Sequence, residues 1–556
     1  MDNISLLIGG KAGFGIDKSG GIIGRIFNQL GYHIYIYRDY PSLIRGGHTF
    51  SIVRASGKRI ATHLDKVDFI LALNQDTINF HKDRLKESSI IIYDADSVKL
   101  EALPVKIKAV GLPIGRIIKE ENASEIMRNT CIIGAFSKII GLKWEILTNV
   151  FRKEISKGLD LNLKVAQRGF EAVGESMKIE PIARANLPIL TGNQAIALGL
   201  IKGGLNTYIA YPMTPSSPIL HFLAELADDF GLEVIHPESE IAVILMALGF
   251  SYMGKKVAVG TSGGGFCLMT EGLSLSGMAE LPVVIVLGQR PGPSTGLPTY
   301  STQSDLHFAL NAGQGEFTRF VIAPGDAEEA YYWSGIAMNM SWRYQVPSII
   351  LSDKSLGEGV FNFDIGSAGN IKEEMPLSWD KSSPYKRYLY TENGVSPLAF
   401  VPEKDAIIKV NSYEHDEFGI TTEEPETTIA MQNKRLGKEK YILQDMEKLE
   451  AVKTYGDKAS STAILCWGSN KGVCIEVAQN LGLKVIQPLA LSPFPRRQFL
   501  EAVGSVKKII SVENNATGQL MRLVEPNGVR ADKKILKYDG RPFSLDELET
   551  KIKAAL

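Results

Sequence analysis

Lys256-Val257-Ala258-Val259-Gly260-Thr261, followed at once by Ser262-Gly263-Gly264-Gly265-Phe266, is the stretch on which the fold turns. Its first six residues make a short apolar run of strand length, and the three glycines interrupt it. A helix is expected over 267–275, and another apolar run follows at 281–287. Strand, glycine turn, helix and strand form the unit from which parallel sheets are wound. Further strands are expected at 208–210 and 347–351, so residues 191–361 read as one α/β domain.

The same grammar appears on both sides. Residues 1–178 read as a separate α/β domain, opening with an apolar run at 4–8 and the turn Gly10-x-x-Gly13-x-Gly15. Ile22, Ile23, Ile26, Phe27 and Leu30 then share one helical face, and apolar runs recur at 33–37, 68–73 and 89–93. Residues 179–190 carry Pro181 and Pro188 without a clear period and read as a linker. The polar stretch 362–455 reads as an irregular extension of the preceding domain, and 456–556 returns to alternating strands and helices. The fold class is α/β, with several doubly wound domains.

Composition narrows the function. With 44% hydrophobic and 22% charged residues, the 556-residue chain has the balance of a folded, water-facing protein rather than a disordered one. Lys and Arg number 61 against 62 Asp and Glu, so no basic field invites nucleic acid or an anionic membrane. The longest apolar run, 241–254, is short for a bilayer and is broken by Ser251. The acid at Asp2 and the lack of a basic region at the start do not suggest a signal peptide, and a cytoplasmic location is expected. Cys131, Cys267, Cys466 and Cys474 include no C-x-x-C pair, so any iron–sulfur cluster belongs to another chain.

Four motifs fall where strands end. Tyr211-Pro212-Met213-Thr214-Pro215-Ser216-Ser217 places three hydroxyls on a backbone stiffened by two prolines. Read plainly, Ser216 or Ser217 is only the cap of a helix over 218–226. His236-Pro237-Glu238-Ser239-Glu240 leads into a helix apolar on all sides, which predicts burial and brings the Glu240 carboxylate near the interior. The plainer reading is an acid at the positive end of a helix dipole. Gly263, Gly264 and Gly265 suit close approach by a planar or charged ligand, or else form a flexible turn. Arg290 leaves its strand on the loop Gln289-Arg290-Pro291-Gly292-Pro293, where a guanidinium is placed to hold a carboxylate through paired hydrogen bonds. Near the N-terminus, Ser42-Leu43-Ile44-Arg45-Gly46-Gly47-His48 makes a small cationic loop suited to an anionic group or a domain contact.

The strings YPMTPSS, ESEIA, TSGGGF and QRPGPSTGLPT resemble the α-subunit of the 2-oxoacid:ferredoxin oxidoreductases, and GKAGFG with SLIRGGH is similar to that family's γ-subunit. The chain thus resembles the fused γ–α type. The resemblance implies CoA-dependent oxidative decarboxylation of a 2-oxoacid such as pyruvate or 2-oxoglutarate, with electrons passed to ferredoxin. It implies thiamine diphosphate at an interface with a separate β-subunit, which binds Mg²⁺ and a [4Fe–4S] cluster, in an αβ or (αβ)₂ assembly. Glu240 matches the glutamate that hydrogen-bonds N1′ of the aminopyrimidine and so promotes formation of the ylid. Thr214 and Arg290 match substrate-holding positions. Tyr211, Pro212, Gly263, Gly264 and Gly265 match the cofactor wall, and no residue of this chain is expected to bind metal. Met213 stands where Ile is usual and Gly264 where Pro is usual. Two alternatives stay open: a non-catalytic scaffolding or substrate-binding subunit, and a dinucleotide-dependent dehydrogenase, for which the required Gly-x-Gly pair is missing.

Overall fold

The computed structural model describes residues 3–43, 46–101, 103 and 106–556. Asp2, and Ile44 and Arg45 of the expected cationic loop, lie outside them. The chain forms two compact units. One contains the chain up to Leu190 together with Glu358–Phe363 and Phe543–Ala554, and the other contains Thr191–Gly357, Asp364–Pro542 and Ala555–Leu556.

The first unit is built on an eight-stranded sheet in the order Lys108–Leu112, Leu85–Asp94, Val67–Ala72, Asn3–Lys11, His48–Ser56, His33–Asp39, Val360–Asn362 and Ile189–Thr191. The first four strands are parallel. His48–Ser56 runs antiparallel to both its neighbours, so this sheet is mixed rather than largely parallel. The apolar pattern does not announce that strand, because Thr49, Ser51 and Arg54 interrupt it although all three are buried. Ser51 provides the small surface on which Gly20 of helix Ile16–Gln29 packs. Arg54 bonds Asn3 Oδ1 and the Thr62 carbonyl, each at 3.0 Å. Helix Ile16–Gln29 buries Ile22, Ile23, Ile26 and Phe27 on its expected face. It starts from Gly15, whose φ of 68° is the left-handed conformation that glycine adopts freely.

The second unit holds two sheets. Seven strands run in the order Ala490–Ser492, Phe320–Ile322, Pro347–Asp353, Val283–Gln289, Val257–Ser262, Thr207–Ile209 and Glu233–Ile235. All are parallel except the first. Five strands, Val452–Gly456, Lys484–Pro488, Thr462–Leu465, Lys508–Glu513 and Lys533–Leu536, make the other sheet. One apolar cluster spans both, joining Val321, Ile349 and Leu351 to Trp467, Phe499 and Leu520. Buried polar links cross the same seam. Lys471 Nζ bonds Asp326 Oδ2 at 2.5 Å and Glu329 Oε1 at 2.7 Å, and Gln303 Nε2 donates to the Trp467 carbonyl at 2.7 Å.

Two expectations change in this unit. The stretch 362–455 is not irregular throughout, for it contains Pro425–Met446, a 22-residue helix. Its inward positions are Met431, Lys434, Arg435, Lys438, Ile442 and Met446, so charged residues stand where a sequence pattern looks for apolar ones. The burial is satisfied because Lys434 and Lys438 both bond the buried Glu280, the former at 2.7 Å. The second change concerns the glycines. They do not precede their helix but form the first turn of Gly263–Ala279, with Ser262 as the residue before it.

Candidate active site

Val283–Gln289, Val257–Ser262, Thr207–Ile209 and Glu233–Ile235 are neighbours in one parallel sheet, so their carboxyl ends open on the same side. The four motifs follow these four strands. In parallel α/β sheets that edge is where ligands bind.

Glu240 is the first residue of helix Glu240–Tyr252, and Ser239 caps it by accepting from the Ala242 N–H at 3.4 Å. Its side chain is buried, with the residue only 4% exposed, and Oε1 has no hydrogen-bond partner among the described residues. A buried carboxylate oxygen left unpaired is costly, and native structures rarely keep one without a function. The glycine triplet explains how the carboxylate fits. A Cβ on Gly265 would collide with Thr261 Oγ1 and lie 2.5 Å from Glu240 Oε1. A Cβ on Gly263 would lie 2.9 Å from Asp305 Oδ2, whereas Gly264 meets only Ser294 O, 4.0 Å away. The turn is therefore flanked by two carboxyl groups and open between them.

Arg290 is partly buried, and its Nη1 donates to the Thr214 carbonyl at 3.0 Å. That bond brings two predicted substrate-holding residues together, and it leaves Arg290 Nε buried without a partner. Desolvation lowers the proton affinity of the guanidinium from its ordinary value. The Ser216 hydroxyl does not cap the following helix, Ser217–Glu225, but donates to the Met213 carbonyl at 2.9 Å. Asn193 Nδ2 fixes the same loop by donating to the Pro215 carbonyl at 2.8 Å. Tyr211 packs edge-on against His236 with ring centroids 6.0 Å apart, and Pro212 beside it is half-buried.

Helix Glu240–Tyr252 is not enclosed on all sides. Val243, Ile244, Ala247 and Leu248 are buried, but Ile241 is 48% exposed and Leu245 45%, with Met246 and Met253 exposed as well. On the helix packed beside it, Gly263–Ala279, Leu268 is also exposed. The helix looks apolar all round because one side packs in the core while the other carries large apolar residues that stay exposed.

Sequence reasoning missed several polar groups here. Tyr208 is buried with a hydroxyl that lacks a partner among the described residues, and burial pushes its phenol well up. Asp305 has its Oδ2 buried and unpartnered, and burial raises its carboxyl to about 6. In the sequence Asp305 stands just before the short helix Leu306–Asn311, where an acid reads as an ordinary cap.

Comparison with known proteins shows the family. The family model described as pyruvate flavodoxin/ferredoxin oxidoreductase, thiamine diphosphate-binding, matches residues 198–434, and the pyruvate ferredoxin/flavodoxin oxidoreductase model matches 5–172. The 2-oxoacid:ferredoxin oxidoreductase subunit alpha of Saccharolobus solfataricus is 32% identical over 100% of this chain and 98% of its own length. The 2-oxoglutarate synthase subunit KorA of Archaeoglobus fulgidus is 34% identical over 42% of this chain and 68% of its own. The solved 2-oxoglutarate:ferredoxin oxidoreductase from Magnetococcus marinus, with 2-oxoglutarate, coenzyme A and succinyl-CoA bound, superposes with a TM-score of 0.91 at 29% identity, covering 100% of this chain and 99% of that one.

The fold and these relatives thus define an oxidoreductase subunit in which residues 198–434 match a thiamine diphosphate-binding model. The chain belongs to the 2-oxoacid:ferredoxin oxidoreductase family, in which it is an alpha subunit of a multi-subunit enzyme. Among the described residues, no helix is long and apolar enough to cross a membrane.

Proposed function

We propose that this subunit supplies the aminopyrimidine-binding half of a thiamine diphosphate site for CoA-dependent oxidative decarboxylation of a 2-oxoacid. A separate β-subunit completes the site, holding the diphosphate through Mg²⁺ and carrying a [4Fe–4S] cluster that passes electrons to ferredoxin. The observation that carries this reading is the unpaired, buried Glu240 Oε1 above Gly265. A weakly basic ring nitrogen that shares a proton with a carboxylate is the partner such an oxygen lacks. Thiamine diphosphate supplies the carbanion chemistry, and the chain's own residues prepare the ground for it.

Glu240, itself almost wholly buried, would hold the proton at the ring nitrogen. Gly263, Gly264 and Gly265, with Tyr211 and Pro212, form the wall, and the open face at Gly264 leaves room for a flat ring. Arg290 binds the substrate carboxylate. The bond from Arg290 to the Thr214 carbonyl orients Thr214, whose hydroxyl holds the oxo group. The exposed apolar residues Ile241, Leu245, Met246 and Leu268 support docking of the β-subunit beside this site. The coenzyme A-bound Magnetococcus enzyme supports coenzyme A as the acyl acceptor. Four free cysteines accord with a cytoplasmic enzyme.

The test is Glu240→Gln in the complex co-purified with its β-subunit. Lost CoA-dependent dye reduction with assembly intact supports the assignment. Unchanged turnover points instead to a scaffolding subunit.

A further inference from the structure

Asn193 is the second residue of helix Gly192–Lys202, and an asparagine at a helix start commonly spends its side chain on capping. Here the neighbours do that work. Thr191 Oγ1 accepts from the Gln194 N–H at 3.2 Å, and Gln194 Oε1 accepts from the Thr191 N–H at 2.9 Å. The Asn193 amide is left for tertiary use. It is almost wholly buried, and its Nδ2 donates to the Pro215 carbonyl at 2.8 Å. Two glycines hold it in place. A Cβ on Gly357 would lie 2.9 Å from Asn193 Oδ1, and one on Gly192 would lie 2.1 Å from the Leu356 carbonyl oxygen. The helix start thus meets the short helix Lys354–Gly357 backbone to backbone, which leaves the amide little room to swing.

The turn that Asn193 reaches is held at two successive carbonyls. Arg290 Nη1 takes that of Thr214, and Asn193 Nδ2 takes that of Pro215. The Pro215 ring also lies on Gly288, where a Cβ would come within 3.0 Å of Cδ and Cγ. The Ser216 hydroxyl closes the turn on itself through the Met213 carbonyl. The two donors differ in what else is asked of them. Under the proposed function Arg290 also meets the substrate carboxylate, which competes with the Thr214 carbonyl for the guanidinium. Asn193 has no such second duty.

We propose that Asn193 is a positioning residue that acts through Thr214: it keeps the turn in place while Arg290 takes the substrate carboxylate, so that the Thr214 hydroxyl stays on the oxo group. The inference rests on Thr214 and Arg290 being the substrate-holding pair. It extends the substrate site to the start of helix Gly192–Lys202, which acts on the 2-oxoacid only through the neighbouring turn.

The experiment is a double-mutant cycle in the complex with its β-subunit, with Asn193→Ala, Thr214→Val and the two combined. kcat and KM are measured per assembled complex for pyruvate or 2-oxoglutarate, whichever turns over faster, and thermal midpoints are recorded alongside. Each single variant lowers kcat/KM by about tenfold or more, as expected when a substrate-holding group is removed or displaced by about 1 Å. The combined variant stays within about twofold of Thr214→Val, because displacing the turn costs little once the hydroxyl is gone. Asn193→Asp, which keeps the volume and loses the donor, replaces Asn193→Ala if that variant does not assemble. Losses that multiply in full, or a lowered midpoint with kcat/KM kept in Asn193→Ala, make Asn193 structural only and overturn its role, while an impaired Thr214→Val keeps the substrate-holding reading. Wild-type kcat/KM in Thr214→Val removes that reading, and the proposal with it.

Discussion

Glu240 and Glu280 lie forty residues apart in the same unit, and both are almost wholly buried. Glu280 is saturated. Lys434 and Lys438 bond its two oxygens, Arg387 donates to its backbone carbonyl at 2.8 Å, and the lysines hold its carboxyl well below the usual range although burial alone opposes this. Glu240 has an oxygen with nothing to bond. Burial, then, does not distinguish a structural acid from a working one. The unmet hydrogen bond is what sets Glu240 apart from Glu280, and the proposed role of Glu240 rests on it.

The sharpest test of the contrast neutralises each acid in turn. Glu240→Gln lowers turnover of the assembled enzyme by about 10²–10⁴-fold, the range for loss of a positioned proton-transfer group. It leaves the thermal midpoint close to wild type, since no internal bond is broken. Glu280→Gln reverses the pattern. It strands two ammonium groups in the interior and lowers stability by about 3–5 kcal/mol in urea titrations, while turnover per folded molecule is kept. If Glu280→Gln abolished turnover without loss of stability, the division between the two acids would be wrong.

The glycine turn gives a smaller effect. Gly265→Ala pushes a methyl group into Glu240 and Thr261, and turnover falls at least about tenfold, as expected when a reacting group is displaced by about 1 Å. Gly264→Ala meets open space and leaves the thermal midpoint of the subunit unchanged.

The smallest effect separates the two lysines around Glu280. Burial, helped by the neighbouring Lys434 ammonium, holds Lys438 down to about 7 against the pull of Glu280. Between pH 7 and about 10 the unfolded chain keeps a proton that the folded chain has released, so stability rises with pH over that window. Lys438→Met removes this slope, which thermal melts at pH 7 and 9.5 detect as a difference between the two proteins.

The same contrast explains what the sequence discloses. Strands such as Val257–Ser262 and Val283–Gln289 are buried on both faces, and their unbroken apolar runs show it directly. The four motifs stand out because prolines and glycines fix unusual backbone at strand ends. Helix Pro425–Met446 is hidden because its inward stripe is partly lysine and arginine, legible only once Glu280 is known to face it. Strand His48–Ser56 is hidden because small polar residues fill the space where a helix packs close. The apolar circumference of Glu240–Tyr252 is visible, but burial by the chain's own core and readiness for a partner produce the same letters. Asp305 carries no local signal, since Gly263 is brought beside it only by folding.

Helix Glu240–Tyr252 also bears on how the cell must make this enzyme. Ile241, Leu245, Met246 and Met253 present a greasy strip to water as soon as the subunit folds. A surplus of this chain over the rest of its multi-subunit enzyme therefore invites self-association and precipitation. Under the proposed pairing with a β-subunit, co-expression of the two polypeptides is expected to raise the soluble yield of this chain, which soluble-fraction assays with and without the partner check.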